Sequence, residues 1–174
     1  MTSRLIVNSI RHTGASSDAV TLDNSGNITC NGTATGFGGG KILQVVSNSS
    51  NTQVVTSGAT ISDILTVSIT PASTSNKILV LIACQVRVTA NSNAYAKFDI
   101  YRGSSSSGTL LIRHYGGVGS ATTNYSQAGI SYLDSPNTTS ATTYTLAISR
   151  GSGNTTSIDT DNETYTITAQ EVQA

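Results

Sequence analysis

The chain has 174 residues, a formal net charge of zero and only 10% charged residues, and roughly two in five of its residues are Ser, Thr or Asn. Its basic residues are scattered, which excludes the clustered cationic surface that nucleic acid requires, and 37% hydrophobic content in alternating β-branched runs excludes a disordered polar chain. The longest apolar run, Ile78 to Cys84, falls far short of the ~20 residues of a membrane span, and Met1 to Asn8 lacks the apolar core of a secretion signal, so membrane insertion is not expected.

Residues 1–35 open the chain. Val20 and Leu22 alternate on one side of Asp23-Asn24-Ser25-Gly26, and Ile28 and Cys30 on the other, which predicts a short hairpin with a glycine-containing turn. The few large apolar residues here bury too little surface to offset the entropy of ordering the segment. It is therefore expected to fold either docked on the larger part or against copies of itself or another protein, and the glycine break that follows favours the second. The run Gly36-Phe37-Gly38-Gly39-Gly40 suits neither helix nor strand and reads as a linker over 36–40.

From residue 41 to 174 the pattern is a succession of strands, expected at 41–46, 52–56, 64–70, 77–89, 94–102, 109–114, 125–133, 142–150 and 164–172. No stretch carries a helical period. Leu65, Val67 and Ile69 alternate with hydroxyl residues up to Pro71, which cannot donate to a central ladder. The central strand is Lys77 to Thr89. Ile78, Val80, Ile82, Cys84, Val86 and Val88 form one face, and the other begins apolar at Leu79, Leu81 and Ala83 before turning polar at Gln85, Arg87 and Thr89. Half of this strand thus calls for cover on both faces, by another layer or another subunit.

Polar loops are expected at 103–108, bounded by glycines, at 115–124 and at 151–163. About nine strands with such turns indicate an all-β antiparallel sandwich or jelly roll. Cys84 continues an apolar face and Cys30 lies far from it in sequence, so both are expected as reduced thiols.

Catalysis is not expected. The nucleophile elbow G-x-S-x-G is missing, and His12 and His114 have no recognisable base partners. Asp159, Asp161 and Glu163 supply hard oxygen ligands within one loop, as calcium prefers, but lack the glycine and distal Glu of the twelve-residue calcium loop; a solvated loop is the plainer account. Asn-x-Ser/Thr triplets, among them those beginning at Asn27, Asn31, Asn124 and Asn162, follow from composition alone. No cofactor is expected. Arg113, His114, Tyr115, Asn124 and Tyr125 gather aromatic, amide and cationic groups around a glycine-rich stretch and are candidates for contact with a receptor, a host-surface glycan or protein; packing within the sandwich is the competing role for each tyrosine.

Several phrases resemble small virion proteins of tailed bacteriophages, particularly those of cyanobacteria. They are Arg4 to Arg11, Gly32 to Val46, Leu65 to Pro71, Leu133 to Tyr144 and Tyr165 to Val172. The resemblance implies a homotrimer in the virion, with an N-terminal intertwined β segment that attaches to other virion proteins and a jelly-roll-like knob beyond it. It implies no catalytic residues. Leu5, Val7, Ile10, Val20, Leu22 and Ile28 are then candidates for the interchain core or the virion contact. Two roles fit: a short tail fibre or adhesin that presents the knob to the host, and a capsid decoration or head-fibre protein with a purely structural task.

Overall fold

A computed structural model of the chain describes residues 7–30, 41–57, 59–89, 94–119, 124–152, 155–158 and 163–173. No helix occurs among them. The chain divides into two compact units, Met1–Gly39 and Gly40–Ala174.

In the first unit, β1 (Ser9–Ile10), β2 (Val20–Leu22) and β3 (Ile28–Cys30) form an antiparallel sheet in that order. The expected hairpin joins β2 to β3. Its turn is organised by the Asp23 carboxylate, which accepts hydrogen bonds from the backbone N–H groups of Ser25 and Asn27 and from the Asn27 amide, each at 2.8 Å. Those bonds, the Asn27 side chain's foremost, hold the Asp23 carboxyl below its usual range. Gly26 closes the turn with a φ of 82°, a conformation that glycine adopts without strain. Ile10 and Ile28 remain 55% and 67% exposed, so this sheet encloses no core of its own.

The second unit contains β4 (Ile42–Ser50), β5 (Val54–Thr56), β6 (Ser62–Ile69), β7 (Lys77–Thr89), β8 (Ala94–Arg102), β9 (Thr109–Gly119), β10 (Asn124–Asp134), β11 (Thr142–Ser152), β12 (Thr155–Ile158) and β13 (Tyr165–Val172). Eight of these form two antiparallel sheets. One runs β4-β13-β7-β10 and the other β6-β11-β8-β9. Numbered along the chain, the eight strands fall in the order 1-8-3-6 in the first sheet and 2-7-4-5 in the second, the double Greek key of a jelly roll. β5 and β12 add a short pair beside the C-terminal part of β7. β10 runs alongside β9, and β4 alongside β6, so the long edges of the sandwich approach each other.

Alternation sets the core. Ile78, Val80, Ile82, Cys84, Val86 and Val88 of β7 are all buried, as their spacing of two requires when one face of a sheet packs on another. They meet Leu65, Val67 and Ile69 from β6, Phe98 and Ile100 from β8, Leu146 and Ile148 from β11, and Ile167 from β13. Desolvation pushes the Cys84 thiol up to about 12, so it stays protonated and unreactive. Cys30 is exposed, and both cysteines are free.

Two buried carboxylates fasten the margins. Glu171, on the inner side of β13, accepts from the Asn76 and Gln44 amides at 2.6 Å each and from the Ala72 backbone N–H at 2.7 Å, which ties the β6–β7 turn to the first sheet. Burial raises its pKa, but the hydrogen bonds outweigh it and leave the carboxyl below the ordinary range. Asp134 accepts from the Tyr144 hydroxyl at 2.8 Å and pairs with Arg102 at 3.0 Å. At the margin where the chain enters and leaves the unit, Ile42 faces Val172, and the Gln173 N–H donates to the Lys41 carbonyl at 2.9 Å.

The structure extends the sequence reading in three places. β4 continues to Ser50 through polar residues because their side chains find partners: Ser47 Oγ shares a hydrogen bond with Thr168 Oγ1 at 2.9 Å, and Asn48 donates to the Thr66 carbonyl at 2.8 Å. β9 runs to Gly119, so 115–119 is strand and not loop. The glycine at 116 has a packing role, since a Cβ there would lie 3.0 Å from the Phe98 ring. β11 continues to Ser152 and β12 occupies 155–158, inside the stretch expected as a loop.

Candidate functional site

The outer face of the second sheet is built from the residues of β8 that point away from the core. Ala96, Phe98 and Ile100 are buried within, so Tyr95, Lys97, Asp99 and Tyr101 lie on the opposite side. Register then brings two residues of β9 beside them: Arg113 faces Asp99, and Tyr115 faces Lys97.

Asp99 is closed to solvent although it lies on an outer face. The reason is a two-pronged bond in which Arg113 Nε donates to Oδ1 at 2.8 Å and Nη2 donates to Oδ2 at 2.7 Å. The hydrogen bond to Asp99 raises the Arg113 pKa more than desolvation lowers it, and this keeps the guanidinium charged. Tyr101, its hydroxyl 3.5 Å from Asp99 Oδ2, is shifted upward by burial and by the Asp99 charge. With Nε and Nη2 engaged, Nη1 is the arm of Arg113 that Asp99 leaves unused.

Next to this pair the Tyr95 and Tyr115 rings meet edge to face, with centroids 5.6 Å apart and planes at 66°. Tyr95 can lie where it does because residue 151 is glycine: a Cβ there would fall 1.9 Å from the Tyr95 ring. The β-bulge between Arg150 and Ser152 places that glycine under the ring. Tyr115 is 62% exposed. On the other flank, Thr145 Oγ1 donates to the Gly103 carbonyl at 2.6 Å, and the Ser105 N–H donates to Asp63 Oδ1 at 3.0 Å. The expected 103–108 loop is thereby bound to the sheet. Gly103 has a φ of 90°, and a Cβ on Gly108 would strike the Arg102 carbonyl oxygen at 2.3 Å.

The first sheet presents a different outer face. Leu133 of β10, Leu79 of β7, Gln170 of β13 and Val45 of β4 stand side by side in register across it. Leu133 is 48% exposed, Val45 56% and neighbouring Leu43 44%, and Leu79 and Leu81 are half-buried. The second face of β7, expected to need cover, thus lies open within the chain. Farther along, Gly129 faces Ala83, and Tyr125 faces Arg87. Arg87 Nε is shut from solvent with no acceptor among the described residues.

The receptor-contact candidates therefore separate. Arg113 and Tyr115 share the outer face of the second sheet. His114 points to the other side of β9, opposite Phe98, and is exposed at the strand edge. Tyr125 is 52% exposed on the outer face of the first sheet, and the backbone of Asn124 pairs with Val88. Tyr95, Lys97, Asp99 and Tyr101 were missed by sequence reasoning; their spacing of two from 95 to 101 was the available signal. Among the attachment candidates, Val7, Ile10, Leu22 and Ile28 are exposed and Val20 is half-buried, while Leu5 lies outside the described residues. Asp159 and Asp161 of the calcium candidate also lie outside them, and Glu163 is exposed.

No protein-family model matches the chain, and no curated protein matches it in sequence. Solved structures with a similar arrangement include the infectious bursal disease virus VP2 subviral particle, with a TM-score of 0.38, 14% identity and coverage of 74% of this chain and 39% of that one. The Gx strain of the same virus gives a TM-score of 0.42 at 14% identity, over 76% of this chain and 33% of that one. T=1 particles derived from the virus give 0.39 at 13%, over 95% and 41%. The chain spans between a third and about two-fifths of the length of these viral chains. The architecture rests on the chain's own strand order: two antiparallel four-stranded sheets wound as a jelly roll.

Proposed function

We propose that this protein is a structural component of a virion, a homotrimeric short tail fibre or adhesin whose jelly-roll knob faces the host surface. The observation that carries the reading is the open outer face of the first sheet. Leu79, Leu81 and Leu133 form an apolar patch on a fold that has already filled its core, with exposed Val45 across Gln170 from it, and exposed apolar surface of this kind marks an interaction site. A second copy of the knob is the occupant the reading assigns. The exposed Val7, Ile10, Leu22 and Ile28 of the first unit suit intertwining with neighbouring copies and attachment to other virion proteins. Three copies is the number implied by the phage-protein resemblance of the sequence.

Sedimentation of the full chain at micromolar concentration is expected to give a trimer, and a monomer would refute the assembly. Gold labelling on intact particles is expected over the tail or baseplate. Label over the head would instead make this a capsid decoration protein.

A further inference from the structure

We propose that the outer face of β8 and β9 binds a carboxylated sugar, with Tyr115 as the stacking surface, Lys97 and Arg113 as the groups that receive the carboxylate, and Tyr95 and Asp99 as positioning residues. The inference deepens the adhesin reading and rests on it for the source of the ligand, a surface polysaccharide.

Three observations converge on this block. Tyr115 is 62% exposed yet held in place, because its partner Tyr95 is seated over Gly151, where any side chain would collide with the ring. A fixed aromatic face with its negative quadrupole outward suits the C–H groups of a pyranose ring, whose hydrogens are slightly positive. Lys97 stands directly opposite Tyr115 and has no carboxylate within ion-pair distance among the described residues. Arg113, 36% exposed, is made rigid by the two bonds to Asp99, which removes the entropy cost of ordering the side chain on binding.

Charge and size select the ligand class. Lys97 and Arg113 contribute two positive charges against the one negative charge of Asp99, so the block has a net charge of about +1 and favours a single carboxylate. Asp63 lies in the same row, across Ala147 from Asp99, and keeps its charge while accepting from the Ser105 N–H; two strand spacings, about 10 Å, place it about one screening length from the block. Neighbouring strands lie about 5 Å apart, and alternate residues on one strand about 7 Å apart, so the square of Lys97, Tyr115, Arg113 and Asp99 has the footprint of one hexose. One such site is weak. Three knobs per fibre and several fibres per particle raise the overall avidity by about 10² to 10⁴.

The test applies the full-length protein to a panel of galacturonate, glucuronate, mannuronate and sialyl oligosaccharides, each beside its carboxyl-reduced counterpart, with a glutamate oligopeptide as the acidic non-sugar probe. Saturable binding of at least one carboxylated sugar is expected, at least tenfold tighter than its reduced form and weakened by added salt. Tyr115→Ala and Lys97→Glu should each reduce it at least tenfold, and Tyr115→Phe, which keeps the ring, should stay within about twofold. Both side chains are solvent-accessible, and an unchanged melting temperature confirms that the variants fold. No binding across the panel, equal binding of the reduced sugars, equal binding of the peptide, or retention of binding by both variants would overturn the site. Failure here with gold label on the tail leaves the adhesin reading standing, whereas sugar binding with label on the head removes that reading and leaves the site.

Discussion

On the second sheet Asp99, Thr145, Ala147 and Ser149 are shut from solvent although they lie on the outer face, whereas on the first sheet Val45 and Leu133, outward in the same sense, are about half exposed. Both faces belong to one jelly roll with one core. The second sheet completes its outer face with its own groups: Arg113 covers Asp99, Tyr95 covers Gly151, and the 103–108 loop supplies partners to Thr145 and Asp63. Among the described residues the first has no such layer, and its leucines and Val45 stay open. A fold that satisfies its own polar groups on one side and leaves apolar groups open on the other presents two chemically distinct outer faces, and the proposed assembly and the proposed sugar site each use one of them.

The widest break of this contrast comes from loosening the frame on which both faces are laid. Glu171→Ala takes away the shared acceptor of the Asn76 and Gln44 amides and the Ala72 N–H, of which Gln44 keeps the Thr70 carbonyl, and at about 1 kcal/mol for each lost bond it should cost about 2–3 kcal/mol in denaturant unfolding. The same carboxyl gives the contrast a pH dependence. Its folded pKa lies below the free-glutamate value of 4.5, so its stabilisation is complete above that pH and is lost as the pH falls through the lower folded value. Thermal melts between pH 6 and pH 3 should show the fall in the wild type and a shallower one in Glu171→Gln.

Removing Asp99 attacks the completed face alone. Asp99→Ala should destabilise the knob by about 2 kcal/mol, less than the 3–5 kcal/mol of a fully buried pair, because Arg113 is partly exposed and can turn into water. On the open face, Leu133→Glu should change the stability of an isolated knob by no more than about 0.5 kcal/mol. It should nevertheless shift the sedimentation profile from trimer to monomer, which would place the apolar patch in the assembly. The smallest effect concerns the thiols. Under native conditions at pH 8 an aromatic disulfide reagent should titrate Cys30 promptly and leave Cys84 unmodified until the protein unfolds.

The sequence made β7 legible from end to end, with its buried set, because strict alternation of large β-branched residues admits one strand assignment and one inward face. β8 was equally clear, and so was the turn at Asp23. Strands whose pairing depends on partners distant in sequence were harder. Thr155 to Ile158 carries no alternation of its own and is a strand through its pairing with β7 and β5. Gly116 reads as a loop residue, yet the Phe98 ring needs that position without a Cβ. The candidate site shows the same division. Arg113 and Tyr115 stood out as charged and aromatic residues near a glycine-rich stretch, but their partners Lys97, Asp99 and Tyr95 come from the neighbouring strand, and only the β8–β9 register brings them together. That register includes a shift between Ile100 and Tyr101, which a residue count along the chain does not reveal.

The meeting of the two ends of the knob also has a mechanical side. β4 and β13 lie antiparallel, with Ile42 opposite Val172 and Lys41 bonded to Gln173, so tension arriving along the chain at Lys41 falls on the last rung of that ladder. A pull from that side, against a knob held fast elsewhere on its surface, loads the hydrogen bonds one after another from Lys41 toward Ser50. A load shared by the whole ladder would require the pull to run along the strands in opposite directions. Under such tension β4 is the first strand to peel away, and the sandwich behind it meets the load only afterwards.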